Sequence, residues 1–327
     1  MKDAIQASSF EQASETAAHS IQCLLDNIEQ VFFGKREAVR LCITGLLAKG
    51  HILIEDIPGI GKTTLAQALA RSVDCTFSRI QFTSDMLPSD ILGVSVLNPS
   101  SNQFEFRPGP IFAGVVLADE VNRTPPKTQS ALLEAMSEFQ VSIDGVTRPL
   151  PEPFMVLATE NPIEYEGTYT LPESQLDRFM VRVEIGYPNP KDEMRIMRRR
   201  DPHRALNSLQ KVLDTEDVVR LQQETENVHV DPSVAQYMLD IVQGTRQNDF
   251  VELGASPRAS VAFYESCQAR ALVEGRNYVT PDDVKKMAVP VLGHRIIVRS
   301  RDGNPIASAR ARAGAIMDTV KQTPIPE

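Results

Sequence analysis

No apolar run in this chain approaches the ~20 residues that a membrane span requires. The N-terminus, Met1-Lys2-Asp3-Ala4-Ile5-Gln6, lacks the apolar core of a secretion signal. Cysteine is scarce: Cys23, Cys42, Cys75 and Cys267 are scattered and form no C-x-x-C pair. That argues against a disulfide framework and for reduced, buried thiols in a cytoplasmic protein. The five histidines show no metal-ligand spacing, so no structural zinc is expected. Basic charge is in deficit, with 34 Lys plus Arg against 43 Asp plus Glu and a formal net charge of -9. A general binder of phosphate backbones needs the opposite sign. Repeats and low-complexity segments are missing as well. What remains is ordinary globular composition, 42% hydrophobic and 24% charged, over 327 residues, enough for two domains with cores of their own.

Apolar strands alternate with helices in the first half. Residues 1–13 read as a frayed tail. Ala17, Ile21, Leu24, Leu25 and Ile28 then recur at helical spacing from Ser14 to Gln30, with Gly34 ending that element, and a second helix runs from about Lys35 to Lys49, with Gly50 as its stop. Strands are expected at 51–56, 75–81, 115–119, 154–159 and 181–185, with a helix opening at Pro125-Pro126. This rhythm predicts a parallel five-stranded sheet sandwiched by helices. Two hairpins interrupt it, one at 94–106 around Pro99-Ser100-Ser101 and one at 140–149 around Asp144-Gly145. Beyond Tyr187-Pro188-Asn189-Pro190 the strands are expected to stop. Helices follow at about 191–200, 216–227, 232–245, 257–274, 281–289 and 306–320. The expected organisation is therefore an N-terminal tail (1–13), an α/β domain (14–188) and an all-helical domain (191–327).

The stretch Asp56-Ile57-Pro58-Gly59-Ile60-Gly61-Lys62-Thr63 lies between a buried strand and a helix. It reads as a phosphate-binding loop. Glycines at 59 and 61 let backbone N–H groups turn toward an anion, and the helix N-terminus behind them adds partial positive charge. Lys62 would reach the β- and γ-phosphates of ATP, and the Thr63 hydroxyl would ligate Mg²⁺. One departure stands out: Asp56 occupies the position where G-x-x-x-x-G-K-[ST] has its first glycine.

Val115-Val116-Leu117-Ala118-Asp119-Glu120 is a second buried strand, ending in two carboxylates. In an open α/β sheet, ligands sit at the carboxyl ends of strands. Asp119 would hold Mg²⁺ and Glu120 would polarise the attacking water. Asn161, just past another buried strand, is a plain turn former before Pro162 or a second water-orienting group. Arg178 ends a short helix, and Arg258 begins a long one. Most arginines are surface charges, yet a guanidinium is also what the γ-phosphate of a phosphoryl transfer needs.

Taken together, these segments resemble the AAA+ ATPases, and within them the MoxR family. The resemblance is carried by Gly50 to Gly59, by Ala118-Asp119-Glu120-Val121-Asn122-Arg123-Thr124-Pro125-Pro126 through Met136, by Ala158 to Pro162, by Leu171 to Phe179 and by Gly254-Ala255-Ser256-Pro257-Arg258. It spans residues 20–325. It implies that Asn161 is the sensor 1 residue, Arg178 the arginine finger given to a neighbouring subunit, and Arg258 the sensor 2 arginine acting in cis. It implies that Phe32-Phe33-Gly34 lines the adenine, with Pro58, Gly59, Ile60, Gly61, Lys62, Thr63 and Thr64 around the phosphates. It further implies that the hairpins are the helix 2 insert and the pre-sensor 1 hairpin, and that 191–327 is the lid. A homo-oligomeric, hexameric ring follows from a finger acting in trans. A chaperone role on protein clients follows from the family, with a partner carrying a von Willebrand factor A domain.

Three rival readings stand beside this one. A nucleic-acid motor of the same clade should carry basic hairpin tips, whereas Asn98 to Gln103 is uncharged and Asp144-Gly145 is acidic. A magnesium chelatase-like motor subunit shares the fold and the partner logic. An inactive scaffold conflicts with intact Lys62, Thr63, Asp119, Glu120, Asn161, Arg178 and Arg258. Arg198-Arg199-Arg200, the densest basic run, is read as a solvated or intersubunit face, with a site for an acidic partner as the alternative. His51 is expected to be packed or hydrogen-bonded, and His294 to touch a neighbouring subunit.

Overall fold

A computed structural model describes residues 2–161, 169, 171–199, 201–299 and 305–326. In it, strands β1 (Ile52–Glu55), β2 (Phe77–Gln81), β5 (Val115–Asp119), β8 (Met155–Glu160) and β9 (Val181–Val183) form one parallel sheet. Their spatial order is β2-β5-β8-β1-β9. The inserted strands pair as antiparallel hairpins, β3 (Gly93–Asn98) with β4 (Gln103–Pro108) and β6 (Gln140–Ile143) with β7 (Val146–Pro149).

The central strands are continuous apolar runs because both of their faces are covered. Ile52, Ile54, Val115, Leu117, Met155 and Leu157 point into one cluster. That cluster also takes side chains from helices α1 (Lys2–Glu29), α2 (Arg36–Leu47) and α3 (Lys62–Ser72). Leu53, Val116, Ala118, Val156 and Ala158 point into the other, against Leu132, Leu133 and Met136 of α5 (Pro126–Glu138). The short α4 (Pro88–Leu92) precedes the first hairpin, and α6 (Glu173–Leu176) precedes β9.

The remaining helices are α7 (Pro190–Arg198), α8 (Pro202–Asn207), α9 (Thr215–Glu226), α10 (Pro232–Gln247), α11 (Pro257–Val273), α12 (Pro281–Leu292) and α13 (Pro305–Gln322). Helices α7 to α12 each open on a capping side chain, namely Asn189, Asp201, Asp214, Asp231, Ser256 and Thr280. Each accepts a first-turn N–H that would otherwise have no partner.

The structure departs from the expected pattern in several places. Helical backbone runs from Lys2, through the segment read as a tail, since no glycine or proline interrupts the first thirty residues. Strands do not stop after residue 187, because β10 (Val251–Leu253) pairs antiparallel with β11 (Ile297–Val298) inside the otherwise helical second half. α12 continues through Pro290 to Leu292, near its end where few helical bonds are lost. α4 and α8 were not foreseen.

Candidate nucleotide site

The loop from Asp56 to Gly61 joins the carboxyl end of β1 to α3. Gly59 and Gly61 have φ of +82° and +93°, a backbone region that side-chain-bearing residues avoid. Gly61 is also the cap of α3 and brings no side chain to its first turn. The helix therefore presents backbone N–H groups and its positive end to the loop's concave side.

Asp56, in place of the usual glycine, faces away from that concavity. Its Oδ1 accepts from Ile57 N at 2.8 Å, and its Oδ2 accepts from the N–H groups of Ile185 and Gly186, both at 2.6 Å. Lys62 Nζ donates to the carbonyls of Asp56 and, at 3.4 Å, Glu160. Burial lowers the Lys62 pKa, opposed by the carboxylates of Asp56, Asp119, Glu120 and Glu160 around it. Burial and the neighbouring Glu55 push the Glu160 carboxyl up to about 7.

Asp119 and Glu120 meet the loop from the neighbouring strand ends. Thr159 Oγ1 donates to Asp119 Oδ1 at 2.7 Å and accepts from Glu120 N at 2.8 Å. Arg79 of β2 pairs with Asp119 Oδ2 at 2.7 Å, and Gln81 donates to Glu120 Oε2 at 2.9 Å. Arg123 closes on the same Glu120 oxygen at 3.0 Å. Glu120 itself is left-handed (φ 59°, ψ 50°), an uncommon conformation for a glutamate that the Thr159 bond helps to hold.

Two cavities flank the loop. One, of about 410 Å³, is lined by Lys62, Thr63, Asp119, Glu120, Thr159 and Asn161, with Arg79 and Gln81 on its β2 side. The other, of about 400 Å³, is lined by Phe32, Phe33, Ile60, Thr64, Ile185 and Tyr187 among others. Pro58, Gly59 and Gly61 line both, so the loop is the partition between a charged chamber and an apolar one. Phosphates with a divalent ion suit the first, where a hydroxyl and a carboxylate supply hard oxygen ligands of the kind Mg²⁺ prefers. A purine suits the second. Gly34, expected beside the base, does not line it. It sits at φ +71° with Asp192 so close that a Cβ would lie 2.0 Å from Oδ2, so it shapes the turn instead. Arg195 and Arg199 stack on Phe33 at 4.0 and 4.8 Å, and Arg199 also donates to the carbonyls of Gln30 and Val31. Arg199 of the basic run thus lines the apolar cavity, with Arg200 outside the described residues.

The two remaining arginines lie elsewhere. Arg178 and Arg258 line one cleft of about 440 Å³ together with Gly50, His51, Asp177 and Arg295. Gly50 and His51 precede β1, so this cleft is at the amino ends of the strands. The length of β1, about 13 Å at ~3.3 Å per residue, separates it from the phosphate loop. Arg178 Nη1 donates to Leu133 O at 2.7 Å and to Ser137 Oγ at 2.5 Å. Arg258, expected to act in cis, lines neither cavity beside its own chain's loop. His294 is likewise buried, bonded to Phe179 O at 2.8 Å, rather than offered to a neighbour.

Residues 51–181 match the family described as "ATPase family associated with various cellular activities (AAA)", and residues 243–318 match the "AAA lid domain". The chain is 42% identical to Chaperone MoxR1 of Mycobacterium tuberculosis over 291 residues, 86% of this chain and 76% of that one. The chain belongs to the MoxR family of AAA+ ATPases. It is also 48% identical to YeaC, an uncharacterized protein of Bacillus subtilis, over 91% of this chain and 93% of the relative. A crystal structure of a candidate ATPase from Cytophaga hutchinsonii superposes with a TM-score of 0.89 at 36% identity, covering 99% of this chain and 100% of that one.

Within this MoxR-family site, Thr159, Arg79 and Gln81 were not singled out by their sequence context. Thr159 carried the one usable signal, a hydroxyl near the end of a buried strand, two residues before Asn161. Arg79 and Gln81 reach the carboxylates only because β2 is the sheet neighbour of β5.

Proposed function

We propose that this ATPase hydrolyses ATP at the partition between the two cavities and uses the cycle to remodel client proteins as an oligomeric chaperone. The observation that carries the reading is the loop shared by an apolar chamber and a carboxylate-lined one. Backbone N–H groups of the loop and Lys62 neutralise the β- and γ-phosphates. Mg²⁺, held by Thr63 and Asp119, would supply charge neutralisation across the phosphate oxygens. Glu120 takes the proton of the attacking water as it adds to the γ-phosphorus, and the bond to the ADP oxygen breaks. Asn161 orients that water from the other side.

Arg178 and Arg258 line one cleft apart from both cavities beside their own loop, which supports delivery of both guanidiniums to the phosphates of an adjacent subunit. A ring, of six subunits in our reading, follows. The hairpins β3–β4 and β6–β7 carry exposed Phe104 and Val146 and are our candidate client contacts. A partner with a von Willebrand factor A domain would act in trans. Among the described residues no helix is long and apolar enough to cross a membrane. The free thiols of Cys42 and Cys267, which burial raises above the usual range, suit the cytoplasm.

The test is ATPase rate per subunit against protein concentration, with mass photometry on the same samples. A specific rate that rises with a hexamer-sized species supports intersubunit sites. A constant rate from a monomer removes the trans arginines and the ring together.

A further inference from the structure

Asp177 is the residue before Arg178, and its carboxylate is engaged on both sides. Oδ1 accepts from Arg295 Nε at 2.8 Å, and Oδ2 accepts from Ser256 Oγ at 3.1 Å. Arg295, whose side chain is 2% exposed, donates further to the carbonyls of Phe179 at 2.6 Å, Met180 at 3.1 Å, Asp177 at 3.3 Å and Val291 at 2.5 Å. It thereby fixes the backbone on the far side of Arg178. Ser256 is the cap of α11, accepting from Ala259 N at 3.1 Å, and Arg258 is the second residue of that helix. One carboxylate thus links the strand-side segment that carries Arg178 to the helix start that carries Arg258.

We propose that Asp177, clamped by Arg295 and Ser256, is a positioning residue that holds Arg178 and Arg258 in a fixed mutual geometry, so that the two guanidiniums are presented to a neighbouring active site as one unit. The physical reasons are direct. Both arginines are long and rotamer-rich, and ordering each separately costs side-chain entropy. Anchoring their backbones to a common ion pair leaves the rotamers to be ordered but fixes beforehand where both side chains start. A displacement of about 1 Å at such a group is worth roughly 10²-fold in rate. The inference rests on the trans reading of the two arginines.

The experiment compares wild type, Asp177→Asn, Ser256→Ala, Ser256→Thr and Arg178→Ala in ATPase and nucleotide-binding assays. Each is measured alone and mixed with excess Glu120→Gln subunits, which keep their arginines but lack the proposed base. Asp177→Asn is expected to lose about 10²-fold in kcat with nucleotide Kd unchanged. In mixed rings it should recover, because its intact loop then faces a neighbour whose arginines are in place. Ser256→Ala should show a smaller kcat loss, which Ser256→Thr restores. A merely structural defect would follow the mutant subunit and would not be relieved by its neighbour. Full kcat in Asp177→Asn overturns the proposal. So does a loss that mixing leaves unchanged while Arg178→Ala is rescued. Failure of Arg178→Ala itself to recover in rings shown to be mixed would instead refute the trans reading, and this proposal with it. Should Asp177→Asn not fold, the serine pair decides: equal kcat in alanine and threonine variants overturns the clamp.

Discussion

Asp56 and Gly186 are joined by a 2.6 Å hydrogen bond from the Gly186 N–H to the Asp56 carboxylate, which takes the Ile185 N–H at the same distance. The phosphate loop is therefore moored to the chain leaving β9, and the acid at its first position has a mechanical role that glycine could not fill. Asp56→Ala should destabilise the fold by about 1.5–3 kcal/mol, the range for hydrogen bonds to a charged group. It should also raise the KM for ATP, since Ile185 and Gly186 form one wall of the base cavity. Chemical denaturation and steady-state kinetics on the same variant check both parts. An unchanged KM would show that the mooring serves stability alone.

Glu120→Gln should retain ATP binding and lose about 10²–10⁴-fold in turnover, the usual worth of a positioned base. Equal turnover would remove Glu120 from that role.

Thr159→Val keeps volume while deleting both the bond to Asp119 and the acceptor for the strained Glu120 N–H. We expect kcat to fall by about an order of magnitude or more with little change in nucleotide Kd, and Thr159→Ser to recover most of it. A purely structural threonine would instead lower the melting temperature and leave kcat per folded subunit intact.

His51 gives a pH prediction. Its Nδ1 accepts from Val156 N at 3.0 Å while Nε2 donates to Met136 O at 2.9 Å, so the ring is held neutral, and burial lowers its pKa to about 4. Because the folded-state pKa lies below the ordinary 6.5, the unfolded chain binds the extra proton first. Stability is full above about pH 6.5 and is lost as the pH falls toward 4, by on the order of 3 kcal/mol. Melting temperatures of wild type and His51→Gln across that window should converge at the acid end. Parallel curves would exclude His51 as the source.

Much of this was readable in advance because the signals are local. Continuous apolar runs at 52–54, 115–118 and 155–158 identify strands buried on both faces, and the glycines, Lys62 and Thr63 locate the anion site within a single turn. Asp119, Glu120 and Asn161 follow from strand ends. What escaped depends on sheet order and on the second half's docking. Arg79 meets Asp119 across 40 residues of sequence, and Arg295 meets Asp177 across 118. No periodicity records such partnerships. The position of Arg258 beside Arg178 and Asp177 was hidden for the same reason, since it depends on how the second half packs on the first.

The strip from Ile185 to Pro188 is at once part of the base cavity and the only covalent path from the parallel sheet into α7 and the helices beyond. Any swing of those helices about this strip must carry Tyr187 and its neighbours with it. A base held there would bear on the very residues about which those helices would turn, as a wedge bears on a door at its hinge.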